Sequence, residues 1–175
     1  MRRIPLLTIV IAGLAGFPLA ARAETPVERG LYLVTITGCN DCHTPGALFG
    51  KPDKAKLLAG SDVGFGGGFG VVVGQNLTPD KETGLGGWTS DQIVTAITTG
   101  KLPDGRMLSP IMPWPALSKL THEDALAIAA YLKSLPVVKN AVPGPYKAGE
   151  TPTVAVSVVI PPSVFAKLPN PLPPK

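Results

Sequence analysis

The chain has 175 residues, with 16 Lys and Arg against 12 Asp and Glu and a formal net charge of +4. Three of the cations, Arg2, Arg3 and Arg22, sit in the first 23 residues; without that segment Lys plus Arg falls from 16 to 13 against the same 12 acids, leaving +1. The basic balance is therefore a feature of the N-terminus, and it does not imply a nucleic-acid partner.

The first stretch, "MRRIPLLTIVIAGLAGFPLAARAETP", has a basic start, an apolar run broken by Gly13, Gly16 and Pro18, and the small-x-small sequence Ala21-Arg22-Ala23. This is the pattern of a secretory signal peptide over residues 1–23, cleaved after Ala23. A retained N-terminal anchor is the competing reading. Export to a bacterial periplasm follows from the first reading, and so does the absence of a transmembrane segment after cleavage. The remaining residues suffice for one domain with one core. Gly and Pro are high at 20 each, and ten of the prolines lie from Pro136 onwards. The expected organisation is a core domain over 24–136 and a Pro-rich extended tail over 137–175.

The first predicted helix opens at Thr25-Pro26-Val27-Glu28. Thr at the N-cap, Pro at the first helical position and Glu at the third make a capping box. Val27, Leu31 and Val34 then fall on one face, and Gly38 ends the helix. The β-branched run "LYLVTIT" argues for a strand instead, but the capping box favours the helix.

Both cysteines of the chain follow at once, in "GCNDCHTP" (38–45), with His43 directly after Cys42. A structural zinc site needs about four protein ligands, and only Cys39, Cys42, His43 and the distant His122 are on offer. A thioredoxin-type redox pair needs a strand, a helix opening at the first cysteine and a surrounding βαβ pattern. A plain disulfide here would close a very small loop, where crosslinking contributes least. Covalent haem attachment uses both thiols and makes the adjacent histidine an iron ligand. Of the four chemistries, only this one requires a histidine at position 43.

Lys51, Lys54 and Lys56 form a local basic patch, read as a solvated loop. The glycine-rich segment 60–80 is expected to hold a short hairpin around Phe69 to Val73. A second helix opens at Thr89-Ser90-Asp91-Gln92 and stops at Gly100. The loop "DGRMLSPIMPWPAL" (104–117) carries Met107 and Met112. If the iron takes a sixth ligand, Met107, Met112, His122 and a lysine are the candidates. Met112, stiffened by Pro113 and Pro115, is the best placed to hold a thioether against the metal at small entropic cost. His122 lies in the first turn of the third helix, where it reads as a surface residue. That helix opens at Thr121 and directs Ala125, Ile128, Ala129, Leu132 and Leu135 to one side before stopping at Pro136. In the tail, "VAVSVVI" (154–160) is too short to span a membrane and reads as one strand or an extended segment on the domain.

Taken in order, "RGLYLV", "GCNDCHTP", "NLTPD", "TGLGGW", "DGRMLSPIMPWPAL" and "LTHEDALAIAAYLKSLP" resemble one haem domain of the class I cytochrome c family. The resemblance covers roughly Arg29 to Val137, and within the family it points to the cytochrome subunits of bacterial alcohol, gluconate and aldehyde dehydrogenases. It implies an all-α fold: helices and long loops around one covalently attached haem c, with the hairpin and the extended tail added. It also implies that Cys39 and Cys42 carry the haem, that His43 is the proximal ligand and that Met112 is the distal one. The first and last helices should cross near Gly30 and Tyr131, and Asn76, Trp88 and Arg106 should line the propionate side. Those dehydrogenase subunits carry three haem motifs, and this chain has one.

The function expected from this reading is that of a periplasmic monohaem electron carrier without substrate chemistry of its own. It would take an electron from a periplasmic dehydrogenase and pass it to an oxidase or another cytochrome. The alternative is a haem enzyme or gas sensor with an open or labile distal site, and a third class is a disulfide-bonded binding module without haem.

Overall fold

The structure is a computed structural model that describes residues 22–167. The expected signal segment lies almost wholly outside these residues, as does the end of the tail. Among the described residues there are six α-helical segments and one three-stranded sheet.

Helix α1 (Pro26–Ile36) starts as its sequence dictates. The Thr25 hydroxyl accepts from the Glu28 backbone N–H at 3.2 Å, and the Glu28 carboxylate accepts from the Thr25 N–H at 2.8 Å. Its buried face is Gly30, Leu33 and Val34. This differs from the expected Val27–Leu31–Val34 stripe, since Val27 and Leu31 are 40 % and 48 % exposed. The reason is Gly30: lacking a side chain, it lets helix α5 (His122–Ser134) come into backbone contact, and that contact fixes which side of α1 faces inward. A Cβ on Gly30 would lie 2.7 Å from the Tyr131 Cβ and would overlap the Ala127 carbonyl. Arg29 ties the two helices at their edge, donating from Nε to Asp124 Oδ1 at 2.8 Å and from Nη2 to Oδ2 at 3.2 Å.

Helix α5 buries Ala125, Ala127, Ile128, Ala129 and Leu132. Helix α3 (Ser90–Thr99) has its own capping box between Thr89 and Gln92, ends on a left-handed Gly100, and adds Ile93 and Val94. With Leu33, Val34 and Leu58 these residues form one continuous core, and Trp88, Tyr131 and Leu135 pack around it. Two short helices complete the set before the tail: α2 (Cys39–His43) and α4 (Trp114–Leu117).

The sheet corrects the all-α expectation. Strand β1 (Val63–Gly67) pairs antiparallel with β2 (Gly70–Val73) and parallel with β3 (Ala155–Val158), so the order is β2-β1-β3. The hairpin starts earlier than expected, because Val63 to Gly67 is its first strand and Gly68-Phe69 its turn. The glycines of β1 explain the pairing. A Cβ on Gly66 would sit 2.9 Å from methyl carbons of both Val156 and Val158, so valines of the tail close over a strand with almost no side chains. Helix α6 (Pro162–Phe165) follows β3. No residue described beyond Leu132 is fully buried, yet the tail is tied to the domain by β3, by a bridge between Val71 and Tyr146, and by bonds that the Asn140 backbone N–H donates to the Thr83 hydroxyl and its side chain to the Ala59 carbonyl.

Candidate functional site

Helix α2 is a single turn, and it puts Cys39, Cys42 and His43 together. Gly38 opens it in the left-handed conformation at φ 68°, turning the chain sharply off the end of α1. Both thiols are half-buried and unpaired. Cys39 packs against the core, and its sulfur lies 3.3 Å from the Thr37 hydroxyl. Burial pushes both thiols above their ordinary range, and the Asp41 carboxylate between them adds to it. A redox dithiol needs the opposite: a thiol depressed by a positive environment. Among the described residues, no three His, Cys, Asp or Glu side chains are gathered to hold a metal ion by themselves.

The His43 ring is oriented by backbone. Its Nδ1 lies 2.7 Å from the carbonyl oxygen of Gln75. A carbonyl only accepts, so Nδ1 carries the proton and Nε2 keeps its lone pair for a metal. Burial lowers the His43 pKa, and the Gln75 carbonyl works against that by stabilising the N–H. The His43 carbonyl in turn accepts from the Gly60 N–H at 2.8 Å. Gly74 makes the approach possible: a Cβ there would collide with the Cys42 carbonyl and come 3.3 Å from His43 Nδ1. Neither Gln75 nor Gly74 was legible in the sequence as a site residue. Gln75 contributes only a main-chain oxygen, which any residue could supply, and a lone glycine after a valine run carries no address.

The other expected site residues are distributed over the loops. Asn76 is fully buried next to Gln75. Its Nδ2 donates to Thr83 Oγ1 at 3.0 Å and to the Val138 carbonyl at 2.7 Å, and its Oδ1 accepts from the Thr78 N–H and hydroxyl at 2.9 and 2.8 Å. All of its polar capacity as a donor is therefore spent on the protein. Trp88 is half-buried against the core, its carbonyl accepts from Lys133 Nζ at 2.7 Å, and its indole N–H has no partner among the described residues. Arg106 is exposed and held by Asp104, with Nε donating to Oδ2 at 2.8 Å.

Met107 and Met112 differ sharply. Met107 is 58 % exposed and sits opposite Lys101 in a bridge at the mouth of a small turn. Met112 is half-buried in a braced loop: its N–H donates to the Ser109 carbonyl at 3.0 Å, and its carbonyl accepts from the Trp114 N–H at 2.7 Å. The Trp114 indole then donates to the Leu108 carbonyl at 3.3 Å and packs on Gly100. Trp114, between Pro113 and Pro115, is the brace. His122 is the exposed first residue of α5.

These residues fit a haem. Two unpaired thiols three positions apart share one helical turn with a histidine whose Nε2 makes no hydrogen bond among the described residues. Leu48 and Phe49, in the turn packed on α2, and Met107 and Ile111, in the methionine loop, are exposed apolar side chains that a haem could cover.

No family model matches the chain. Among curated relatives, it is 32 % identical over 108 residues to the cytochrome c subunit of the quinone-dependent alcohol dehydrogenase of Gluconobacter oxydans, which covers 62 % of this chain and 21 % of that protein. It is 34 % identical over 116 residues to the fructose dehydrogenase cytochrome subunit of Gluconobacter japonicus (66 % and 22 %). It is 32 % identical over 105 residues to the gluconate 2-dehydrogenase cytochrome c subunit of Pantoea cypripedii (60 % and 22 %). The chain thus spans little more than a fifth of the length of these relatives. Over the aligned stretch it is a homologue of the cytochrome c subunits of bacterial alcohol, fructose and gluconate dehydrogenases.

Proposed function

We propose that this chain is an exported monohaem cytochrome c that carries single electrons from a dehydrogenase to a respiratory acceptor. The observation that carries the reading is the single turn of α2, with two unpaired thiols and a histidine whose Nδ1 proton is committed to the Gln75 carbonyl. Each thiol would add across one vinyl group, sulfur to one carbon and hydrogen to the other, with nothing lost. When bound, the haem supplies the one-electron chemistry. The residues of the chain hold and orient it. His43 is the proximal ligand, and its ring orientation is set by Gln75. Met112 is the distal ligand, delivered by the loop that Trp114 braces. Trp88 has a free indole N–H to offer a propionate, and Arg106 would have to leave Asp104 to do the same. Asn76 serves by holding the loop in place. Residues 1–23 act as the export signal, 24–136 form the haem domain, and 137–175 are a tail laid on it.

The dehydrogenase partner rests on the relatives, each of which is a subunit of such an enzyme by name. No helix among the described residues is long and apolar enough to cross a membrane.

The decisive experiment is intact mass together with acid–organic extraction of protein made in a host that matures c-type cytochromes. The expected result is a polypeptide carrying one haem whose colour stays with the chain. A mass short by two hydrogens and free of iron would mean a disulfide and would overturn the reading.

A further inference from the structure

Past the last core helix, two of the first six residues after Ser134, Val138 and Asn140, reach back toward the histidine turn. The first route runs through the Ala59–Gly60 peptide. Asn140 Nδ2 donates to the Ala59 carbonyl at 2.7 Å, and the Gly60 N–H of the same rigid peptide donates to the His43 carbonyl at 2.8 Å. The second runs through the Gln75–Asn76 peptide. Its carbonyl accepts from His43 Nδ1 at 2.7 Å, and the Asn76 side chain is anchored to the Val138 carbonyl at 2.7 Å. Thr78 and Thr83 close the arrangement, accepting from the Val138 N–H at 3.3 Å and the Asn140 N–H at 3.1 Å. Val142 packs over Gly60, filling the space where a Cβ would otherwise stand.

The Ala59–Gly60 peptide is planar, so the Asn140 bond on one edge constrains the His43 bond on the other, whereas Val138 acts on the Gln75 carbonyl through the side chain of the next residue, Asn76. Each bond in such a chain also polarises the next. A ligating imidazole becomes a stronger donor as its second N–H is held more firmly by an acceptor, and a stronger donor favours the ferric state.

We propose that the tail segment Val138–Val142 is a lever on the proximal ligand. Asn140 is the positioning residue for the His43 main chain, Val138 holds the Asn76 side chain beside the Gln75 carbonyl, and the segment lowers the reduction potential by keeping His43 Nδ1 against that carbonyl. This rests on the haem reading above. It assigns to the tail an electronic role distinct from covering the domain.

The test uses the full-length haem-bearing protein and two readouts, the midpoint potential and the proton signal of the His43 Nδ1–H in the reduced state. Asn140→Ala should raise the potential. The expected change is up to tenfold in the ferric-to-ferrous ratio, which is about 59 mV for one electron. The Nδ1–H signal should shift and exchange faster with solvent. Val142→Ala loosens only the packing on Gly60 and should give a smaller change of the same sign. It supplies the measurement if Asn140→Ala does not mature. Lys139→Gln, in the same segment but with its side chain exposed beside Glu82, should leave the Nδ1–H signal in place. If Asn140→Ala and Val142→Ala lower the melting temperature while potential and Nδ1–H signal stay at wild-type values, the tail is structural only and the lever is overturned. A wild-type protein without covalent haem would instead overturn the carrier reading.

Discussion

Replacing Gly30 by alanine adds one methyl group at the point where α1 and α5 touch. That carbon would lie 2.7 Å from the Tyr131 Cβ and from the Ala127 carbonyl carbon, with the Ala127 oxygen closer still. Ordinary carbon–carbon contact is about 3.5–4.0 Å, so the helices must part by about 1 Å. None of the colliding atoms can swing away, because they are main chain or a Cβ. A gap of that size forfeits about a quarter to a half of each packing contact it opens, and the contacts at risk belong to Leu33, Val34, Ile128 and Leu132 at the centre of the core. Overpacking costs about 1–3 kcal/mol, and a backbone collision falls at the upper end. Alanine returns about 1 kcal/mol through its higher helix propensity. The expected net loss is about 2 kcal/mol, a fall of about 5–10 °C in Tm for a domain of this size. Thermal unfolding of the haem-bearing protein by far-ultraviolet circular dichroism measures it. Adding Ala127→Gly should not restore stability, because the blocking atoms at position 127 are backbone. A Gly30→Ala protein as stable as the parent, or more so, would refute the reasoning and mean that the helix crossing yields without cost.

Three further outcomes are expected. Met112→Ala should keep its covalent haem, lose the weak far-red sulfur-to-iron band, lower the potential and bind carbon monoxide readily, while Met107→Ala should do none of these; optical titration decides, and reversed behaviour would make Met107 the ligand. Asn76→Ala should cost about 1–3 kcal/mol in urea unfolding, because it strands the Thr78 N–H in a buried loop and leaves the Val138 carbonyl with the Thr78 hydroxyl alone; a loss under 1 kcal/mol would show that water replaces the amide. The hydrogen bond and charge of Arg29 hold the Asp124 carboxyl below its ordinary range. Its contribution to stability is therefore fully present above the unfolded-state value of about 3.9 and is lost as pH falls through the lower folded value. Asp124→Asn should remove that part of the acid dependence, so wild type should lose stability more steeply below about pH 4; parallel curves would mean the pair contributes nothing.

Local chemistry was legible in the sequence wherever cause and effect lie within one helical turn. The capping boxes at Thr25 and Thr89, the Thr121 cap, the stop at Gly100 and the end of α5 before Pro136 are decided by neighbours three or four residues apart, and the helices run as those signals dictate. The Cys39–Cys42–His43 spacing likewise stood in the sequence, because one turn is enough to bring those side chains together. The tertiary structure decided what depends on partners far along the chain. Which face of α1 is buried depends on Gly30 meeting Ala127 and Tyr131. The all-α expectation failed because β1 finds its parallel partner β3 about ninety residues away, where the valines of one strand close over the glycines of the other. The setting of His43 was hidden for a further reason. It is built from the main chain of Gln75 and Gly60 and held by Asn140, and a carbonyl or an N–H leaves no mark in the amino-acid code until the fold aims it.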